Sequence, residues 1–161
     1  ALHAVGMSAF ADKAVHHLSF GQKKRVCIAG VLAMEPELLV LDEPMAGLDY
    51  RMQEELLAVL DGLHARGITL LLATHDIDFA YRWADQIHLM RAGSCTASLD
   101  AVHLAEYAGE LSAQGLPLPA VIALQHGLTA RGLLSTEQRP RSCGELLAML
   151  EGGQSAAEAR Q

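Results

Sequence analysis

Two short runs, Leu38-Leu39-Val40-Leu41 and Ile68-Thr69-Leu70-Leu71-Leu72-Ala73, constrain the fold of this chain more than any other feature. Neither alternates apolar with polar residues, and a strand without alternation is one covered on both faces, as in a parallel sheet flanked by helices. Between the runs, Met52, Leu56, Val59, Leu60 and Leu63 recur at helical spacing, which predicts a helix over residues 50–66 stopped by Gly67. Strand, helix and strand in that order make a right-handed parallel crossover. The fold class is therefore α/β, a mostly parallel sheet with flanking helices.

On the N-terminal side, Leu2, Val5, Met7 and Phe10 read as a helix already under way without a capping residue, as in a chain cut inside a larger domain. A helix is expected over residues 21–34, with Pro36 ending it. After the second run, a short helix over 77–84 precedes two strands, 86–90 and 95–99. Arg91-Ala92-Gly93-Ser94 turns between them, and the pair is expected to form an antiparallel edge of the sheet. From Asp100, a candidate N-cap, the pattern is helical over 101–113 and 120–129, and again over 146–150 behind the capping box Ser142-Cys143-Gly144-Glu145. Residues 1–100 thus form the main portion and 101–151 a helical C-terminal extension. The stretch 152–161, rich in Gly, Ser, Ala and Gln, is expected to be disordered.

With 161 residues, 51% of them apolar, the chain suits one ordinary core. Its net charge of -7 and scattered basic residues argue against nucleic acid as a partner. The apolar runs are too short to span a bilayer and no basic-then-apolar leader is visible, so a cytoplasmic chain without direct membrane insertion is expected. Cys27, Cys95 and Cys143 are odd in number and far apart, the pattern of reduced thiols.

The chemistry-bearing residues cluster around the two runs. Ser19 to Gln22 forms a capping box, and a Gly-flanked helix start also offers free amides to an anion, so Ser19, Gly21 and Gln22 are candidate phosphate-binding residues. Asp42 and Glu43 follow the first run at its C-terminal end, where ligands bind in open parallel sheets. Asp42 suits a Mg²⁺ ion on a triphosphate, which takes one or two carboxylates. Glu43, pointing elsewhere, suits orienting or deprotonating a water. Asp49 is either an N-cap or a contact to a second subunit. His75 ends the second run within Thr74-His75-Asp76. The neighbours His16 and His17 diverge in direction and form no metal site. Lys23, Lys24 and Arg25 sit at a helix start, where the dipole disfavours cations unless phosphates approach.

Leu18-Ser19-Phe20-Gly21-Gln22, Leu38-Leu39-Val40-Leu41-Asp42-Glu43-Pro44 and Ala46-Gly47-Leu48-Asp49 together resemble the signature, Walker B and D-loop of ABC-type ATPases, a P-loop NTPase-like fold. With His16 to Val26, Ala29 to Met34, Thr74-His75-Asp76 and Trp83-Ala84-Asp85, the first hundred residues look like the ATPase subunit of cobalt or nickel energy-coupling-factor importers. The resemblance implies ATP and Mg²⁺ as cofactors. It also implies a second ATPase subunit, homo- or heterodimeric, a transmembrane importer subunit, and a place at the inner face of the cell membrane. It makes Glu43 the catalytic base and His75 the switch histidine at the γ-phosphate. Ser19, Gly21, Gln22 and Asp49 then serve the partner's ATP, and Asp42 the Mg²⁺. Two departures stand out: Phe20 occupies a position where most of the family has a small residue, and no Gly-x-x-x-x-Gly-Lys-Ser/Thr loop (Walker A) is present. An N-terminally truncated domain is therefore expected, inactive alone. The alternatives are a non-catalytic fragment that only binds an intact ATPase subunit, or a soluble ABC protein unrelated to transport.

Overall fold

The structure, a computed structural model, describes the backbone of residues 1–158 and the side chains of residues 1–151, and it divides into two compact units, Ala1–Thr74 and His75–Gln161.

The first unit opens with three 3₁₀ turns, Leu2–Val5, Ser8–Phe10 and Val15–His17, where the sequence predicts a continuing helix. Gly6 explains the difference. It takes a left-handed φ of 67° and turns the chain so that the Met7 N–H reaches back to the Leu2 carbonyl at 2.9 Å. Val5 and Met7 are both fully buried on either side of it, so packing rather than helical period shapes the segment. Helix α1 then runs from Phe20 to Leu32, two residues short of the expected end.

Strand β1, Leu38–Asp42, and strand β2, Thr69–Ala73, pair in parallel from Leu38↔Thr69 to Asp42↔Ala73. Helix α2, Tyr50–His64, connects them and buries Leu56, Leu57, Leu60 and Leu63. Full burial of such a side chain contributes about 1.5–3 kcal/mol. The crossover is as expected, but the cover is not. Leu39 is buried, while Leu38 and Val40, which point to the opposite face, are 50% and 61% exposed, and Leu71 is 47% exposed. The apolar pattern is written for a sheet covered on both sides. Among the described residues of this unit, one side of the pair is covered.

The second unit begins with helix α3, Ile77–Trp83, and a hairpin of β3, Gln86–Arg91, and β4, Ser94–Asp100. Ala92 and Gly93 both have positive φ, 48° and 78°, which suits the two-residue turn between right-twisted strands. Thr96 is the extra residue at a register shift after Leu89, and its hydroxyl donates to the Leu89 carbonyl at 3.1 Å. Among the described residues the hairpin is a two-stranded sheet of its own, where the sequence predicts an antiparallel edge of the parallel sheet. Residues Ala101–Tyr107 form a 3₁₀ helix before α4, Ala108–Ala113, and the Asp100 side chain caps nothing. Helix α5, Ala120–Thr129, lies where the sequence places it. Helix α6, Cys143–Glu158, opens with the Glu145 N–H donating to Ser142 Oγ, but the Glu145 carboxylate reaches back to the Arg141 N–H instead of completing the box. The tail expected over 152–161 falls in the part of α6 whose side chains are not described and in residues outside the description altogether.

Among the described residues of the second unit, Tyr81, Leu99, Leu104, Leu111, Ile122 and Leu146 are buried together in one core. The segment expected as an extension is therefore packed with α3 and the hairpin. Arg141 ties it down. Its guanidinium donates twice to the Tyr81 carbonyl, at 2.9 and 2.7 Å, and once to the Ala84 carbonyl, the last acceptors of α3. Asp78 on α3 accepts from the Ala120 N–H at 2.7 Å. No helix among the described residues is long and apolar enough to cross a membrane.

Candidate functional site

Helix α1 starts with the capping box that its sequence predicts. Gln22 N–H donates to Ser19 Oγ at 3.2 Å and Ser19 N–H donates to Gln22 Oε1 at 2.9 Å. This fixes the first turn and leaves the N–H groups of Phe20 and Gly21 without an intrahelical acceptor, at the positive end of the helix dipole. Asp49 caps α2 by accepting from the Met52 N–H at 2.8 Å, so the N-cap reading holds. The two caps stand together. Ser19, Gly21, Gln22 and Asp49 line one open cleft of about 250 Å³, with Arg25, Arg51, Met52 and Glu55 among its other walls.

The chemistry of that cleft fits an anion. Gly21 lets the start of α1 pack directly on α2, since a Cβ there would stand 3.1 Å from Met52 Sδ. Two arginines share one carboxylate: Arg25 and Arg51 reach Glu55 at 3.0 and 3.1 Å. With Asp49 also on the wall, two arginines face two carboxylates, so the charged side chains of the cleft balance and its pull on an anion comes from the N–H groups at the helix start. Arg51 is largely in solvent and its bond is worth little.

Asp42 and Glu43 lie at the end of β1 and do not line the cleft. Asp42 is exposed and a single carboxylate, the number Mg²⁺ takes when phosphates and waters complete its shell. Glu43 continues the ladder, its N–H donating to the Ala73 carbonyl at 2.9 Å, and then turns sharply with φ 43°. For a residue with a Cβ this left-handed backbone costs about 1–2 kcal/mol. Its carboxylate accepts from the Thr74 hydroxyl at 3.2 Å. His75 is the first residue of the second unit, directly before Asp76, which caps α3 by accepting from the Phe79 N–H at 2.9 Å.

The cationic run behaves differently from its sequence reading. Arg25 is engaged by Glu55, and Lys24 turns inward to the loop after β1. Burial pulls the Lys24 pKa below the ordinary lysine value and the Glu43 charge opposes that shift. The sequence reading singled out Lys24 and Arg25 as cations and Thr74 within its motif, but not their partners, the Pro44 and Ala46 carbonyls, Glu55 and the Glu43 carboxylate. Of the contacts missed, the Arg51–Glu55 pair, at i and i+4 on one helix, is the one that spacing in the sequence could have signalled. The His16 and His17 rings sit 4.1 Å apart, and among the described residues no group of three or more His, Cys, Asp or Glu is placed to hold a metal.

Against this geometry, comparisons with known proteins agree with one another. The family described as ABC transporter matches residues 1–46. The cobalt import ATP-binding protein CbiO of Rhodobacter capsulatus is 46% identical over 124 residues, 77% of this chain and 44% of that protein. An energy-coupling factor transporter ATP-binding protein of Methanospirillum hungatei is 38% identical over 151 residues, 94% of this chain and 38% of its own length. Among solved structures, cbiO1 from Clostridium perfringens, described as part of the ABC transporter complex cbiONQ, superposes with a TM-score of 0.62 at 39% identity, covering 78% of this chain and 50% of that one. The chain spans less than half the length of either curated relative.

Proposed function

We propose, from the premise that the chain is an ABC transporter ATP-binding domain over the stretch it spans, that it serves in the ATP-hydrolysing subunit of an energy-coupling-factor type importer for cobalt or nickel. The observation that carries this reading is the gathering of Ser19, Gly21, Gln22 and Asp49 around one anion-fitted cleft that excludes Asp42 and Glu43. Such a chain offers two half-sites. In the cleft, the free amides and Ser19 hold the γ-phosphate of an ATP brought by a second ATPase subunit, and Asp49 meets that subunit. At the end of β1, Asp42 would hold the Mg²⁺ of the chain's own nucleotide and Glu43 would orient the attacking water; His75 takes its role at a γ-phosphate from the family resemblance alone. Mg²⁺, when bound, neutralises phosphate charge. The sequence has no Gly-x-x-x-x-Gly-Lys-Ser/Thr, so the cradle for that nucleotide is not among these residues. The partners are a second ATPase subunit and a transmembrane subunit, which places the protein at the inner face of the membrane.

The test is made in the complete ATP-binding domain. Glu43→Gln keeps ATP bound and the dimer closed, while hydrolysis falls about 10²-fold or more, the contribution of a positioned base. Near wild-type turnover transfers the role away from Glu43, to His75 first. Uptake of radiolabelled cobalt and nickel by cells carrying the intact importer decides the substrate. The missing loop favours one second reading, a chain that acts only by binding an intact ATPase subunit. Under that reading, mixing the two yields a complex without added turnover.

A further inference from the structure

Lys24 lies five residues beyond Ser19 on the helix that lines the cleft, yet its side chain serves the loop that carries Glu43. Nζ lies 2.7 Å from the Pro44 carbonyl, 2.7 Å from the Ala46 carbonyl and 3.5 Å from the Glu43 carbonyl. An ammonium has three N–H donors and no acceptor, and here three carbonyls of one short loop turn toward it. The Phe20 ring closes another side, 5.4 Å from Nζ. Carbonyls aimed at a common charge fix the peptide planes that bear them, and with them the backbone angles in between.

That constraint falls where it is needed. Glu43 and Gly47 bracket the loop with φ of 43° and 72°, and a Glu does not hold a left-handed angle without support. The loop's own bonds are few: Ala46 N–H to the Glu43 carbonyl at 3.1 Å and Leu48 N–H to the Met45 carbonyl at 3.2 Å. The flanking cation on α1, Arg25, is committed to Glu55, so it does not substitute.

We propose that Lys24 is a positioning residue for Glu43, tying the helix that lines the cleft to the loop that aims the Glu43 carboxylate. A shift of α1 when its N-terminus meets an anion is then passed to Glu43 through one side chain. The catalytic part of this statement rests on Glu43 being the group that orients water; the tie itself does not.

Two variants and two readouts separate these. Lys24→Met keeps the length of the stem and removes charge and donors. Lys24→Arg keeps the charge, but its planar fork does not aim at three converging oxygens. In the 161-residue chain, amide exchange at Ala46 and Leu48 speeds up about tenfold or more in Lys24→Met, as loss of a charge-assisted tie requires, while Leu71 in β2 stays as in the wild type. Lys24→Arg falls between. In the complete ATP-binding domain, kcat drops roughly ten- to a hundredfold in Lys24→Met with KM for ATP changed less than about twofold, the mark of misaimed chemistry rather than lost binding. Unchanged exchange overturns the tie. Loosened exchange with unchanged kcat in an active domain overturns the positioning role. A wild-type domain without turnover overturns the functional reading instead, and leaves a loosened loop as support for the tie. Should Lys24→Met fail to fold, Lys24→Gln is measured in its place against the same outcomes.

Discussion

Replacing Arg141 with alanine tests how the second unit is held together. Its guanidinium makes three bonds to two carbonyls at the C-terminal end of α3, those of Tyr81 and Ala84. It also lies 5.9 Å from the centre of the Tyr81 ring. A hydrogen bond from a charged donor contributes about 1.5–3 kcal/mol, and the two acceptors, not the three bonds, set the count. Water reaches part of the vacated site and returns some of this, so the net loss is about 3 kcal/mol, including about 0.5–1 kcal/mol from the ring contact. With a urea slope of about 1.5 kcal/mol/M, the midpoint falls by about 2 M. Trp83, the chain's only tryptophan, is the last residue of α3 and stacks on Phe79 with ring centres 5.8 Å apart, so its fluorescence reports this unit. Arg141→Lys recovers about half of the loss, because one ammonium does not hold two carbonyls as a fork does. A midpoint shift below about 0.3 M in Arg141→Ala would refute the assignment of Arg141 as the tie between α3 and the later helices.

Tyr81 adds a pH dependence to the same unit. Burial raises its phenol above the ordinary 10.0, with Arg141 and Arg139 pulling it back down. A folded pKa above the unfolded one gives stability that is complete below pH 10 and is lost as pH rises through the folded value. Alkaline denaturation followed by tyrosinate absorbance shows that loss, and Tyr81→Phe, which also forfeits the 3.1 Å bond to the Pro140 carbonyl, flattens it. Ser19→Ala removes the cap of α1 and costs about 1 kcal/mol in thermal or urea unfolding, whereas Ser19→Thr keeps most of it. The isolated chain binds Mg-ATP no tighter than about millimolar, near -4 kcal/mol, because no cradle for the triphosphate is present; low-micromolar binding by calorimetry would contradict this.

Helix α2 was legible in the sequence because Leu56, Leu60 and Leu63 carry its period and Asp49 and Gly67 mark its ends. The hairpin was legible because Ala92-Gly93 accepts the two positive angles its turn demands. Ser19 and Asp49 were placed correctly as caps, since a cap is a local event between residues three apart. What failed was cover and distance. The run Leu38 to Leu41 announces two buried faces, but a sequence does not say which residues do the covering. The segment before Val15 has apolar spacing close enough to helical to mislead, and Gly6, with its left-handed φ of 67°, is the residue that breaks it. The contacts of Lys24 and Arg141 escaped because their partners are backbone carbonyls 19 to 22 and 57 to 60 residues away. A carbonyl belongs to every residue and leaves no mark in the letters.

The ring of Phe20 has a consequence for how substitutions combine. Its Cε1 lies 3.2 Å from where a Cβ of residue 47 would stand. The helix start and the loop before α2 therefore make one steric choice between them, and a scan that changes single positions charges to Gly47 an intolerance that belongs partly to Phe20. In a Phe20→Gly background that share disappears and only the left-handed angle of 72° remains to be satisfied. At such an angle asparagine is accepted more readily than alanine, so the order of tolerated residues at 47 reverses from smallest first to best turn-former first. Positions 20 and 47 are thus epistatic, and a library that varies them together reaches sequences closed to either alone.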